Sequence, residues 1–286
     1  MNQEALKNEY PFETKSIDIN GLKYSYVDEG QGEVLLMVHG NPTWSYFYRD
    51  LIKHFSKTHR CIAVDHIGCG FSDKPQDYDY TLENHISNLN TLVGKLDLKN
   101  ITLLVHDWGG AIGMGTAALN PSNFKKFVIF NTAAFRSIDI PFRINLCRIP
   151  VLGKLAVRGF NAFAGSATFM TTVTPLKKEI KENFIAPYSN WKDRIATHEF
   201  VLDIPLKSSH RSYPALCKVE EGLSNFDDSQ FRILWGTHDF CFNDKFLQKW
   251  KKHKPKAEVT EFNAGHYLLE DKKDEIIPEI EKFFAK

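Results

Sequence analysis

Apolar residues fall along this chain in two textures. Over Ser16–Ile19 and Lys23–Asp28 they alternate with polar ones, and the two stretches flank Asn20-Gly21. Alternation reads as a half-buried strand, and Asn-Gly as a two-residue hairpin turn whose central residues need positive φ. An antiparallel pair at a sheet edge is expected there. After Glu29-Gly30-Gln31-Gly32 the apolar residues bunch instead. Val34–Val38, Cys61–Val64, Ile101–Val105 and Phe127–Phe130 are short continuous runs, each followed by a loop and a stretch with helical spacing. Such runs suit strands buried on both faces, and their alternation with helices predicts a parallel sheet covered on both sides. Helices are expected over Trp44–Phe55, over Thr81–Leu96 with Thr81 as cap and Glu83 in the first turn, and over the small-residue segment after Trp108.

From Phe135 to about Asn225 the strand runs stop. Aromatic residues among basic ones, with prolines at 141, 150, 175, 187, 205 and 214, predict helical segments broken by proline. Any one of those aromatics serves equally well as that insert's own core. Strand texture returns at Phe231–Trp235 and Glu258–Phe262, with helices near Phe242–His253 and Asp274–Phe284. The expected fold class is α/β: a mostly parallel central sheet with helices on both faces and an inserted helical cap. Its division is residues 1–134 for the first part of the core, 135–225 for the cap and 226–286 for the rest of the core. No internal repeat is present.

Bulk properties narrow this only a little. With 286 residues the chain can bury one large core, or a core plus a small lid. A formal net charge of +1 gives no reason to expect nucleic acid or an anionic membrane as partner. The lysines of Lys249–Lys256 read as a solvated helix end, since no aromatic residues interleave them for base stacking. Five scattered cysteines without C-x-x-C spacing argue against a disulfide framework or a structural zinc site. Met1 to Ser16 holds no apolar leader core and no segment has 18 consecutive apolar residues, so no membrane span is expected and the cytoplasm is the expected location.

Chemistry gathers at the strand ends. His39-Gly40-Asn41-Pro42 follows Val34–Val38, an Asp65-to-Asp73 loop follows Cys61–Val64, and Asp107-Trp108 follows Ile101–Val105. Asp239 follows Phe231–Trp235, and Gly265-His266 follows Glu258–Phe262. Open parallel sheets bind ligands beyond the carboxyl ends of their strands. A strand turning sharply into a helix also exposes the residue at the turn, and in α/β-hydrolases that elbow carries a nucleophile, usually Ser in G-x-S-x-G. Asp107 stands at that position; Gly109 matches the pattern, whereas Val105 replaces the earlier glycine.

A carboxylate nucleophile selects its target. With an ordinary pKa of about 3.9, an aspartate is ionised at neutral pH and attacks without a base. At an sp³ carbon bearing a leaving group it forms an ester. Water deprotonated by His266, with Asp239 orienting the imidazole, can then hydrolyse that ester. The backbone N–H groups of Trp108 and Asn41 are expected to hold the oxyanion, each such donor being worth about 10²–10³ in rate.

These motifs resemble the haloalkane dehalogenases: His39-Gly40-Asn41-Pro42-Thr43, the Asp65–Pro75 stretch, Val105-His106-Asp107-Trp108-Gly109-Gly110 and Gly265-His266. The resemblance covers most of the core and is looser over the cap. It implies that Trp108 and Asn41 also donate indole and amide N–H to a departing halide. The family's acid can instead follow the preceding strand, but Asn131-Thr132 offers no carboxylate there, which favours Asp239. Asp65-His66-Ile67-Gly68-Cys69-Gly70, Asn131-Thr132-Ala133-Ala134-Phe135 and Asp203-Ile204-Pro205-Leu206 resemble still more closely the branch that contains the β-lactone decarboxylases of bacterial olefin synthesis. That resemblance implies the same Asp/His/Asp set acting on a cis-β-lactone to give an alkene and CO₂.

The leading expectation is a haloalkane dehalogenase acting on a small apolar substrate, with β-lactone decarboxylation as the alternative. Epoxide opening would need cap tyrosines, for which Tyr188 and Tyr213 are the candidates, and a non-catalytic binding protein is the reading from another class. No cofactor is expected: the third glycine of a dinucleotide fingerprint starting at Gly68 would fall on Asp73. No metal is expected either, since His39, His66, His106 and His238 lack helix-spaced partners and read as braces of their loops, as does Asp65.

Overall fold

Residues 3–286 are described by the structure, a computed structural model. Strands β1 (Thr14–Ile19) and β2 (Leu22–Glu29) form the expected hairpin, with Asn20 and Gly21 at φ 54° and 81°. The continuous apolar runs become β3 (Val34–Val38), β4 (Arg60–Val64), β5 (Ile101–Asp107) and β6 (Phe124–Thr132). β7 (Phe231–Gly236) and β8 (Glu258–Phe262) complete one sheet in the order β1-β2-β4-β3-β5-β6-β7-β8. Only β1–β2 and β2–β4 pair antiparallel; every other pair is parallel.

The runs are continuous because each strand feeds two layers. Leu36, Val38, Leu103, Val105 and Ile129 pack on one face of the sheet; Leu35, Met37, Leu104, Val128 and Phe130 pack on the other. Each such side chain contributes about 1.5–3 kcal/mol on burial. Helices α3 (Leu82–Lys95) and α4 (Trp108–Leu119) cover the first face. Thr81 caps α3 as expected, its side chain accepting from the Asn84 N–H. The second face is covered by α2 (Arg49–Phe55) and α12 (Leu268–Phe284), joined by the buried Arg49 guanidinium, which donates to both Glu270 carboxylate oxygens at 2.5 and 2.8 Å. A two-pronged pair of this kind fixes orientation as well as charge.

Three expectations shift in detail. The helix expected over Trp44–Phe55 is a 3₁₀ turn over Ser45–Tyr48 followed by α2. Trp44, Tyr46, Phe47 and Tyr48 are all buried, and the Ser45 N–H is claimed by the Asp65 carboxylate at 2.8 Å, so a tighter local turn replaces regular helix. Helix α11 (Asp244–His253) starts two residues later than expected, where the Asn243 side chain caps it. Helix α12 starts earlier, with a break at Lys272, because its first turn follows directly on the His266 loop. One further helix, α1 (Gln3–Glu9), was not foreseen.

Between β6 and β7 the described chain is helical: α5 (Phe142–Leu146), α6 (Leu152–Lys154), α7 (Ala164–Met170), α8 (Lys178–Ile185), α9 (Ile195–Leu202) and α10 (Tyr213–Gly222). Helix α10 lies against α4, and its Leu216 and Val219 join the core layer on that face.

The elbow's missing glycine has a structural counterpart. A Cβ at Gly113 of α4 would stand 2.7 Å from Val105 Cγ1, so the helix gives up the space that the strand takes. Gly113→Ala should therefore destabilise the protein by about 1–3 kcal/mol despite alanine's better helix propensity. In a Val105→Ala background the same change should stabilise it, by up to about 1 kcal/mol. Urea unfolding of the four variants reads the sign; equal effects in both backgrounds would remove the packing explanation.

Candidate active site

Asp107 ends β5 with φ 52° and ψ −125°, a backbone conformation that side chains other than glycine rarely adopt. The turn holds because neighbouring chain comes very close. A Cβ on Gly109 would meet the Val38 carbonyl oxygen at 2.0 Å, and one on Gly110 would meet Thr132 Oγ1 at 1.9 Å. The Thr132 hydroxyl donates to the Asp107 carbonyl oxygen. A Cβ on Gly40 would lie 2.0 Å from Asp107 Oδ1, so the loop after β3 can pass over the carboxylate only as glycine.

That passage brings donors to the acid. The Asn41 backbone N–H donates to Asp107 Oδ1 at 2.6 Å, and the Trp108 N–H favours the ionised form of this carboxylate. His266 Nε2 lies 3.7 Å from Asp107 Oδ2, and His266 Nδ1 bonds Asp239 Oδ2 at 2.7 Å. The other Asp239 oxygen accepts from the N–H groups of Cys241 (2.6 Å) and Phe242 (3.0 Å), which fixes the acid's direction. The five residues singled out from sequence, Asp107, Asp239, His266, Asn41 and Trp108, thus converge at the carboxyl end of the sheet. At the end of β6 the Asn131 side chain clasps Gly236 instead, donating to its oxygen at 2.9 Å and accepting from its N–H at 2.7 Å.

Electrostatics set Asp107 and His266 apart from ordinary groups of their kind. Burial raises the Asp107 pKa above its usual 3.8, and the nearby His266 and the Asn41 and Trp108 N–H groups hold the rise in check. For His266, burial lowers the pKa, but Asp239 and then Asp107 outweigh it, so the imidazole is held above 6.5. The surrounding histidines do other work. His39 Nδ1 donates to the Gly40 oxygen at 2.7 Å, while its Nε2 accepts from the His66 N–H at 3.1 Å. His106 Nε2 donates to the His266 carbonyl at 2.8 Å, steadying that loop from below. Burial pushes His66 down to about 4 and His39 and His106 well below 6.5, so all three are neutral hydrogen-bonding braces. Asp65 also braces its loop, accepting from Ser45 and Phe71 N–H groups at 2.8 Å each.

Among the described residues, Asp239, Cys241 and His266 bring possible metal-ligand atoms within 4.8 Å of one another. The chemistry of that set is poor for a cation. His266 Nδ1 and Asp239 already bond each other, and burial with the two carboxylates pushes the Cys241 thiol well above its usual range, so it stays protonated.

Two apolar lobes meet at Asp107. One, of about 130 Å³, is lined by Leu82, Trp108, Phe135, Val201, Leu216 and Phe246 among others. The second, of about 180 Å³, is lined by Pro42, Cys147, Ala167, Met170, Phe240 and His266 among others. Asn41, Asp107, Ile144, Phe163 and Cys241 border both. Ile144 and Phe163 escaped sequence reasoning, because an apolar residue in a proline-broken helical stretch carries no sign of which side it faces; Cys241, in the loop after β7, went unmarked beside Asp239. One Asn41 side-chain N–H is taken by the Thr197 carbonyl of α9 at 3.0 Å, which leaves the second for the cavity. Neither Tyr188 nor Tyr213 borders these lobes; the Tyr188 hydroxyl donates to the Thr43 oxygen at 3.2 Å. The proton donor that epoxide opening would need is therefore not supplied by them.

The alpha/beta hydrolase fold family model matches residues 33–273. A protein of Shewanella oneidensis named cis-3-alkyl-4-alkyloxetan-2-one decarboxylase is 47% identical over 284 residues, covering 96% of this chain and 89% of its own. Its namesake from Xanthomonas campestris pv. campestris is 40% identical over 292 residues, covering 97% of each. Haloalkane dehalogenase 2 of Mycobacterium tuberculosis is 28% identical over 284 residues, covering 96% of each. The crystal structure of haloalkane dehalogenase DatA from Agrobacterium tumefaciens superposes with a TM-score of 0.85 at 26% identity, again over 96% of each chain.

Gly40→Ala tests the geometry around the carboxylate. The new methyl group must displace Asp107 or the Asn41 N–H, and turnover should fall at least ~10²-fold, the usual cost of one oxyanion donor. Circular dichroism should keep the native spectrum, while the thermal midpoint should fall, because the added methyl overpacks a buried turn. Wild-type turnover from the alanine variant would contradict the close approach.

Proposed function

The chain belongs to the alpha/beta hydrolase fold family, and we propose that it converts a cis-3,4-dialkyl β-lactone to an alkene and CO₂, with Asp107 as nucleophile. The observation that carries this reading is the pair of apolar lobes that both border one carboxylate. An oxetan-2-one with alkyl groups on adjacent ring carbons has two arms and one small polar head. A primary haloalkane has a single arm and would leave one lobe without a role. Names and identity point the same way: the decarboxylases match at 47% and 40%, the dehalogenase at 28%. Sequence reasoning set dehalogenation first; the relatives and the cavity reverse that order.

In the proposed chemistry the Asp107 carboxylate attacks the alkyl-bearing ring carbon attached to oxygen. The C–O bond breaks, and its electron pair stays on the ring oxygen as a free carboxylate. The bond between that carboxylate and the neighbouring ring carbon then breaks; its pair forms the alkene, CO₂ leaves, and Asp107 departs as a carboxylate. No water is consumed and no proton moves. Inversion at the attacked carbon followed by departure of the two groups from opposite faces yields the cis-alkene from the cis-lactone. The indole N–H of Trp108 and the free amide N–H of Asn41 would receive the carboxylate as it forms, the task they would perform for a halide. Neutral donors suit a leaving group that must also be released. His266, held above the ordinary histidine range between Asp239 and Asp107, favours the ionised nucleophile through its positive charge.

Water separates this scheme from dehalogenation. Ester hydrolysis needs neutral His266, so bromide turnover from a bromoalkane should decline as pH falls through a midpoint above 6.5. Alkene formation needs only ionised Asp107, and should persist below that midpoint until the acid itself protonates, above 3.8. The deciding experiment offers both substrates in H₂¹⁸O. Alkene and CO₂ should form in equal amounts from the lactone, and the peptide containing Asp107 should stay unlabelled. Bromide release without alkene, or ¹⁸O in that peptide after lactone turnover, would overturn the reading.

A further inference from the structure

We infer that the cap face formed by residues 140–178 docks on an anionic lipid surface. The first observation is where the exposed large apolar side chains lie. Of 12 such residues among those described, 11 fall between Ile138 and Trp191, and Phe142 and Phe160 are 74% and 84% exposed. Scattered surface apolar residues need no explanation, whereas a single concentration of them marks a contact surface. Val151, another of the set, holds φ 63°, an unusual conformation for a β-branched residue, on a loop projecting between α5 and α6.

Two contacts tie the helices of this segment together. A Cβ on Gly153 of α6 would meet the Cys147 carbonyl at 2.0 Å, so α6 packs directly on the end of α5. Arg143 of α5 reaches Met170 at the end of α7, with 3.7 Å between Nη1 and Sδ. Both α5 and α7 also wall the second lobe of the cavity.

Charge identifies the occupant. Over the same span, Ile138 to Trp191, seven basic residues (Arg143, Arg148, Lys154, Arg158, Lys177, Lys178 and Lys181) stand against three acidic ones (Asp139, Glu179 and Glu182). Arg158 is buried and Arg148 is spent on the Val201 and Ile204 carbonyls. Arg143, Lys154, Lys177 and Lys178 are exposed among the apolar side chains. Since the whole chain carries only +1, this segment concentrates positive charge that the rest offsets. A second copy of the same face would set like charges against each other. Apolar side chains interleaved with lysine and arginine are what an interfacial, non-spanning contact with anionic lipid requires. No described helix is long and apolar enough to cross a membrane, and none is needed.

The test is co-sedimentation of the full chain with vesicles of phosphatidylcholine containing phosphatidylglycerol, and of phosphatidylcholine alone. The protein should pellet with the first far more than with the second. Salt near 1 M, where the Debye length is about 3 Å, should release most of it. Lys154→Glu with Lys177→Glu should weaken partition about 25-fold or more, at roughly five-fold per positive charge lost. Phe142→Ser with Phe160→Ser should weaken it in low salt without altering the salt dependence. None of these four residues borders the cavity, so turnover of a short-chain, water-soluble lactone should be unchanged; that assay keeps docking separate from the identity of the reaction. Failure to pellet with the anionic vesicles would overturn the inference. So would a dimer, seen by sedimentation velocity and abolished by the phenylalanine pair, since the face would then belong to a second copy.

Discussion

The structure turns on keeping a carboxylate ionised in a place that opposes ionisation. Asp107 must be shielded from water if its charge is to be used against carbon, yet burial raises its pKa. Compensation comes from three directions: the Asn41 N–H after β3, the Trp108 N–H opening α4, and His266 after β8. Each is backbone or loop at the same sheet edge, so the parallel order of β3, β5 and β8 is itself a requirement of the site. The positive φ of Asp107 and the missing side chain of Gly40 are the local expressions of that convergence. A side chain at Gly40 would occupy the place of the carboxylate oxygen.

Much of this was legible in the chain because it is carried by short-range signals. Asn20-Gly21 fixes a hairpin through backbone conformation alone, and the apolar runs of β3 to β6 announce strands that feed two layers. Asp107, Asp239 and His266 could be picked from many acids and histidines because each comes within a few residues of the end of a predicted strand. What stayed hidden depends on packing between distant segments. The 3₁₀ turn at Ser45–Tyr48 follows from four aromatic neighbours buried together and from Asp65, twenty positions on. Val105 in place of the usual glycine raised a question about the elbow that only Gly113, on the facing helix, answers. Ile144, Phe163 and Cys241 give no hint in sequence that they flank Asp107.

The converging side chains and the cavity carry different kinds of information. An aspartate, a histidine–acid pair and two neutral N–H donors suit any displacement at an sp³ carbon whose leaving group departs as an anion. Halide and carboxylate both qualify, so those residues cannot rank one substrate over the other. The lobes can, since a two-armed substrate and a one-armed one make different demands on space. Dehalogenation came first on sequence because Asn41 and Trp108 are readily explained as a halide-donor pair, and two lobes bordering one carboxylate weigh toward the lactone.

A net charge of +1 suggested no attraction to an anionic surface, but a sum over the chain is blind to its distribution. The cap gathers exposed basic and apolar residues, and its helices also wall the cavity. Under the proposed reaction those two facts belong together. Loss of CO₂ removes the substrate's only polar head, and each remaining CH₂ resists transfer to water by about 0.8 kcal/mol. A dialkyl alkene released into water would face that cost along its whole length, and its departure would be slow. A cap that rests against lipid offers an exit from one apolar medium to another, so the cost largely vanishes. The exposed face of the cap and the lobes beneath it then answer a single difficulty, that of handling a molecule which the reaction itself makes insoluble.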